Sequence, residues 1–429
     1  MLIMLFFAYE WDSLSALPDT IDYIRDVYIV KDRIFAGVNY RGRKVKAGIL
    51  YLDTLEGVWH SVDTFFVPIN PDNKTSFTSF YYDTTINRLF ATVSEERLPG
   101  PYHYYHFAYS DDMGSTWTYA IVDSGYGIDK SMEIKRLSNG NLYATGGVNY
   151  SDDRRNGRIY ISKDNGETWS LWKKTPNGEA GEFQFILEPE PGVIWTASDL
   201  GRSYNLYEDT LGREGDLLVK SVAISGIYMM VKRENDYIAS MSMNPNTQAS
   251  KIYVFDGEDD WIPISQSATM YTDNRLAYNK KDSLTLYGFY DENSVSLLYY
   301  MDLSNTVVKI DSVFNGYGLM GRLRVFNDGR VAVSLYNENS MMHETRVYIT
   351  KPEKQTDIME KSSPVPILIK DKKLYFNGAG SYSIYNEAGE LVVNTTRREL
   401  SLKDFSEGIY FVKYVQNHKQ MIKRIVIIK

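Results

Sequence analysis

One hydrophobic pattern recurs along most of the chain: an apolar residue, then an aromatic or second apolar residue, then two small ones. It stands as Ile34-Phe35-Ala36-Gly37, Leu89-Phe90-Ala91-Thr92, Leu142-Tyr143-Ala144-Thr145 and Ile194-Trp195-Thr196-Ala197. Weaker copies are Tyr237-Ile238-Ala239-Ser240, Leu286-Tyr287-Gly288-Phe289 and Val331-Ala332-Val333-Ser334. Successive copies begin 55, 53, 52, 43, 49 and 45 positions apart. Turn residues often precede them, as in Asn139-Gly140-Asn141 and Asn327-Asp328-Gly329-Arg330. A period of 40 to 50 residues holding several short strands predicts a β-propeller. Small residues on a second strand suit the crowding of blades near an axis. Seven copies predict seven blades, with six as the alternative because the stretch after the fourth copy is degenerate.

Two segments share the pattern Ser-x-Asp-x-Gly-x-Thr-Trp. They are Ser110, Asp112, Gly114, Thr116 and Trp117 in one, and Ser162, Asp164, Gly166, Thr168 and Trp169 in the other. Each follows an apolar strand and precedes another, which predicts a hairpin turn. The Asp can accept from turn amides, the Gly permits positive φ, and the Trp packs back under the turn. These segments resemble the Asp boxes of the BNR-repeat propellers, the superfamily that includes sialidases. The resemblance implies a structural role on the outer rim, away from any active site. Degenerate echoes stand at Asp256 to Trp261 and Leu55 to Trp59.

A polar, proline-marked linker, 353–364, follows a propeller expected over 17–352. Residues 365–429 then read as short strands that form a small β-sandwich: Ile367 to Ile369, Lys373 to Phe376, Tyr382 to Tyr385, Glu390 to Val393, Ile409 to Tyr414 and Met421 to Ile428. The pieces Tyr382 to Gly389, Leu400 to Leu402, Gly408-Ile409-Tyr410-Phe411-Val412 and Lys423 to Lys429 resemble the type A C-terminal sorting domain of type IX secretion. Gly389, Gly408, Tyr410 and Lys429 carry that motif. One departure is Ser363-Pro364-Val365-Pro366, where the family often has Pro-Asn-Pro. The resemblance implies export through the outer membrane of a Bacteroidota-type bacterium, with the secretion machinery as a partner and release or surface anchoring as the end point.

Composition narrows the reading. Tyr, Phe and Trp make up 14% of the chain, with 35 tyrosines, which favours an all-β fold. The net charge of -8 argues against a nucleic-acid partner. Residues 365–429 are basic, with 11 Lys and Arg against 6 Asp and Glu, so the acidic excess belongs to the remainder. With no cysteine, disulfides, thiolate metal sites and a cysteine nucleophile are excluded. Met1 to Ala8 is purely apolar, and residues 1–16 are read as the remnant of an export signal whose start lies upstream, or else as a first buried strand. No stretch approaches the length of a transmembrane helix.

Candidate chemistry is sparse. A sialidase uses three arginines, a Tyr/Glu nucleophile pair and an Asp acid/base, with the first arginine in an Arg-Ile-Pro motif. The local match, Arg33-Ile34-Phe35, has Phe for Pro and belongs to the repeat, so that role is not carried over. A glycoside hydrolase needs two carboxylates flanking the bond; Glu133, Glu182, Glu190 and Asp199 lie in suitable loops. His103 and His106 sit three apart on a strand, so they face opposite ways and do not make a metal pair. The run Tyr102 to Phe107 reads as a core strand or a sugar-stacking surface. No cofactor is expected. The function expected is a secreted or cell-surface propeller that recognises an extracellular glycan or protein, with a glycoside hydrolase acting at the propeller axis as the alternative.

Overall fold

The computed structural model describes residues 11–14, 17, 21–30, 33–40, 46–53, 58–62, 68–97, 102–126, 133–148, 157–175, 181–183, 185–197, 205–213, 217–222, 226–244, 249–258, 260–264, 270–271, 276–290, 296–303, 305, 307–310, 319–326, 328–336, 345–350, 367–370, 373–376, 382–386, 390–397, 399–403, 405–406, 408–416 and 419–427. Two compact units are present, and the propeller is Trp11–Lys351. Its described strands fall into seven antiparallel blades. Blade 1 is Ile21–Val30, Arg33–Tyr40, Lys46–Asp53 and Val58–Ser61. Blade 2 is Lys74–Asp83, Arg88–Arg97, Tyr102–Ser110 and Thr118–Tyr126, and blade 3 is Ile134–Arg136, Leu142–Val148, Gly157–Ser162 and Ser170–Lys174. Blade 4 has Val193–Ala197, Asn205–Thr210 and Leu218–Val222, with its inner segment paired only through Leu187 and Trp195.

Blade 5 is Ile227–Lys232, Tyr237–Asn244, Ala249–Phe255 and Trp261–Pro263; blade 6 is Leu276–Asn279, Leu284–Tyr290, Ser296–Met301 and Val307–Ile310. The short strand Met270–Tyr271 joins these two into one ladder. Blade 7 combines Leu319–Val325, Val331–Tyr336 and Thr345–Thr350 with Trp11–Ser13, which pairs with Thr350, Ile349 and Tyr348. The ring is therefore closed by strands from both ends of the unit.

Every copy of the repeat lies on the second strand of its blade, and the described apolar residues of the copies are buried except Tyr237, which is partly so. The small fourth residue has a specific cause. In blades 1, 2, 5 and 7 the inner strand carries a bulge, between Ile24 and Asp26, Phe77 and Ser79, Ile227 and Met229, and Met320 and Leu323. Each bulge lies beside the fourth residue of the repeat: Gly37, Thr92, Ser240 or Ser334. A bulge leaves a backbone group outside the ladder. In blade 2 the Thr92 hydroxyl accepts from Ser79 N at 3.0 Å, and in blade 3 Thr145 accepts from Glu133 N at 2.9 Å.

Both full Asp boxes join the third and fourth strands of blades 2 and 3. Ser110 Oγ donates to Asp112 at 2.8 Å and accepts from Gly114 N at 2.7 Å, while Asp112 accepts from Thr116 N at 2.8 Å. Trp117 Nε1 donates to Gly114 O at 3.0 Å. The second box repeats this with Ser162, Asp164, Gly166, Thr168 and Trp169. Asp256 in blade 5 also accepts from two turn amides, Glu258 N and Asp260 N. The repeat and the boxes interlock between blades: Phe35 and Phe90, second in their repeats, lie beneath Gly114 and Gly166 of the next blade. Arg33 donates to Met113 O at 3.1 Å and Arg88 to Asn165 O at 2.9 Å. Arg33 is thus a clasp on a box turn.

Gly166 has φ of 92°, and a Cβ there would enter the Phe90 ring, whereas Gly140 has φ of 83° with nothing within 4 Å. Gly140→Ala is expected to lose roughly 1–2 kcal/mol from left-handed strain alone. Gly166→Ala should lose roughly 1–3 kcal/mol more through overpacking. Urea midpoints of the two variants test this, and equal losses would refute the interlock.

The C-terminal unit packs a three-stranded sheet, Ile367–Lys370, Lys373–Phe376 and Glu399–Ser401, with a four-stranded one, Tyr382–Asn386, Leu391–Thr395, Gly408–Gln416 and Lys419–Ile427. Leu374, Tyr382, Ile384, Leu402, Phe405, Tyr410 and Val412 form its core. Gly408 opens a strand, and Tyr410 donates to Ser406 O at 3.1 Å. Gly389 and Lys429 lie outside the described residues.

Candidate functional site at the propeller axis

Inner strands of a propeller expose one edge to the axis, and that edge needs partners for its backbone groups. Here side chains of one blade supply them to the next. Asp26 of blade 1 accepts from Phe80 N of blade 2 at 2.7 Å. The Tyr81 hydroxyl of blade 2 accepts from Arg136 N of blade 3 at 3.1 Å. Glu133 of blade 3 accepts from Ile186 N of blade 4 at 2.9 Å, and Lys135 Nζ donates to Ile186 O at 3.3 Å.

The bulge in blade 1 aims Asp26 into this ring. Asp26 is 0% exposed and also accepts from Val27 N at 3.0 Å. Arg324 of blade 7 meets it with two parallel bonds, Nε at 2.9 Å and Nη2 at 2.6 Å, and Nη2 also donates to Phe80 O at 3.1 Å. Its guanidinium carbon lies 5.3 Å from the centre of the Tyr28 ring. The Arg324 side chain keeps 21% of its surface exposed. Burial alone would lower its pKa, but the charge of Asp26 outweighs this and raises it, with Glu133 acting in the same direction. Burial likewise pushes the Tyr28 hydroxyl up, and that of Tyr81 up to about 12.

Of the four loop carboxylates, Glu133 is the one whose described side chain belongs to this ring. Glu190 lies in the exposed turn before Val193, at the far end of the sheet from Glu133. Glu182 sits in a two-residue strand paired with Gly147 of blade 3, and Asp199 lies outside the described residues. Sequence reasoning missed Asp26, Tyr28, Lys135 and Arg324. The available signal was the charged pair Arg25-Asp26 inside the run Ile24 to Val30, whose other residues are apolar or aromatic.

A second buried polar cluster sits in blade 2. His106 Nε2 lies 2.8 Å from Glu95, which also accepts from Asn73 Nδ2 at 2.6 Å. Tyr105 and Phe107 of the same strand are core residues. No group of side chains able to hold a metal occurs among the described residues. Burial opposes ionisation of Glu95, but hydrogen bonds from His106, Asn73 and the Ile69 amide outweigh it and hold the carboxyl below its usual range. A depressed folded pKa adds stability that is complete above the unfolded value of about 4.3 and is lost as pH falls through the folded one. The gap in thermal midpoint between wild type and Glu95→Gln should therefore be widest near neutrality and close below about pH 4; a gap that widens on acidification would contradict it.

Residues 367–428 match the family described as Secretion system C-terminal sorting domain. No curated protein matches the chain. Among solved structures, polysaccharide lyase Uly1 is similar with a TM-score of 0.51 at 9% identity, over 77% of this chain and 90% of that one. The Hadza microbial sialidase Hz136 gives 0.44 at 15% identity over 76% of this chain and 66% of that one, just under two thirds of its length. The GH93 α-L-arabinofuranosidase of Fusarium graminearum gives 0.44 at 12% identity over 68% and 97%. These likenesses are of fold. The chain carries a β-propeller and, over 367–428, a secretion-system C-terminal sorting domain, which indicates a secreted or cell-surface protein. No helix among the described residues is long and apolar enough to cross a membrane.

Proposed function

We infer that this exported propeller recognises an extracellular ligand, a glycan or a protein, at its axis without cleaving it. The observation that carries this is the state of Asp26. Both its oxygens are taken by Arg324 and by backbone amides, and the residue is wholly buried. Among the described side chains that leaves Glu133 as the approachable carboxylate of the ring, where glycoside hydrolysis requires two flanking the bond. What the ring does offer is binding chemistry: the Nη1 donors of Arg324, the ammonium of Lys135 and the carboxylate of Glu133.

The alternative, a glycoside hydrolase, draws on the presence of Asp26 and Glu133 in one ring, both acting on Arg324. The full chain, incubated with host and plant glycan pools and read by mass spectrometry, separates the two. Depletion of a glycan class without new products supports recognition. Shorter products that disappear in Glu133→Gln would establish the hydrolase instead. If glycans are neither bound nor cut, a protein ligand is sought by the same pull-down.

A further inference from the structure

We propose that the axial ring selects a neutral, hydroxyl-rich oligosaccharide and rejects acidic ones. This rests on the axial binding reading above and adds the ligand class. The donors and acceptors come from an arc of consecutive blades. Arg324 projects from blade 7, Asp26 and Tyr28 from blade 1, Phe80 O from blade 2, and Glu133 and Lys135 from blade 3, against Ile186 of blade 4.

The charge of the arc is balanced before any ligand arrives. Arg324 is already neutralised by the two-bond pair with Asp26. Lys135 and Glu133 hold the carbonyl and the amide of one residue, Ile186, so their opposite charges stand side by side. Arg324 reaches Phe80 O of blade 2, the neighbouring Tyr81 takes Arg136 N of blade 3, and Glu133, just before that strand, takes Ile186 N, so donor and acceptor stand on successive inner edges of one arc. A carboxylated ligand is acceptor-only. It would meet a guanidinium whose charge is already matched and would face Glu133 as a like charge. A hydroxyl donates and accepts at once, so neighbouring hydroxyls can take the Arg324 Nη1 donors and give to Glu133.

The test uses the secreted full chain and two oligosaccharide sets matched in length, one neutral and one uronate- or sialate-bearing, titrated by calorimetry at low and moderate salt. The expected result is binding of a neutral oligosaccharide with little salt dependence and no measurable binding of the acidic set. Glu133→Gln keeps an acceptor for Ile186 N but loses the charge. It should weaken neutral binding roughly tenfold or more, as expected for a hydrogen bond to a charged group. It should also admit acidic ligands. Lys135→Met should weaken neutral binding without admitting acids. Preferential binding of the acidic set by the wild type overturns the inference while leaving glycan recognition standing. Neutral binding that neither variant alters places the site elsewhere and overturns it as well. Failure of both sets overturns this inference and the glycan arm of the reading together.

Discussion

Asp26→Ala is expected to destabilise the propeller by about 3–5 kcal/mol, the range for breaking a buried ion pair on one side. Two features place it there. Asp26 is fully buried and accepts from Val27 N and Phe80 N as well as from Arg324, so its loss strands two inner-strand amides and one guanidinium together. Arg324 in turn spans blades 7, 1 and 2 through Asp26 and Phe80 O, on the inner strand of the blade whose outer strand, Trp11–Ser13, closes the ring. Asp26→Asn should be nearly as damaging, because an amide keeps one acceptor oxygen and its NH2 must face Arg324 together with either Val27 N or Phe80 N. Asp26→Leu combined with Arg324→Met should lose much less than the two single changes added together, since no uncompensated charge remains. Urea unfolding of the wild type, the two single variants Asp26→Leu and Arg324→Met and the double variant gives the cycle directly. Additive losses would mean that the pair is not a unit and that the ring is held by its apolar faces alone.

The rhythm of this fold was legible because its cause is local. An apolar, aromatic, small, small sequence marks a second strand whose first two residues pack between blades and whose last, in blades 1, 2, 5 and 7, sits beside a bulge. Seven copies accordingly gave seven second strands, including the weak Leu286 and Val331 copies. The fourth blade is irregular ahead of its repeat, whereas the sequence reads as degenerate after it. Its inner segment splits its allegiance, with Gly181–Glu182 paired to blade 3 and Leu187 bridged to Trp195 of its own blade. Trp11–Ser13 was harder to foresee, because its partner Tyr348 lies on the far side of the whole propeller sequence. The axial site was hidden for a similar reason. Asp26 and Arg324 are nearly 300 positions apart, and neither carries a motif. Only the ring brings them together. Glu133, Glu182, Glu190 and Asp199 were marked out by their loops, and a loop position does not say which end of a blade it occupies. The adjacent charges Arg25 and Asp26 in an inner strand were the better signal, because burying a charge demands a partner.

Deleting residues 365–429 is expected to abolish export while leaving a folded propeller behind. The sorting domain covers 367–428, and among the described residues its core cluster shares no member with the clusters of the blades. A point substitution should approach the same result by another route. Tyr410 is 5% exposed, meets the Phe405 ring edge-on at 5.2 Å and bonds to Ser406 O. Tyr410→Ala removes a buried aromatic, a loss of about 3–5 kcal/mol. A sandwich of this size rarely holds more than about 3–5 kcal/mol in its core, so the variant should be largely unfolded in that unit and poorly exported. Tyr410→Phe keeps the ring and forfeits only the hydrogen bond, about 1 kcal/mol, and should be exported almost as the wild type is. Immunoblots of medium, cell-surface and periplasmic fractions distinguish the three. Periplasmic retention of the deletion and of Tyr410→Ala, with Tyr410→Phe outside, ties export to the folded sandwich. Deletion protein found outside at the wild-type level would mean that the propeller carries its own route out.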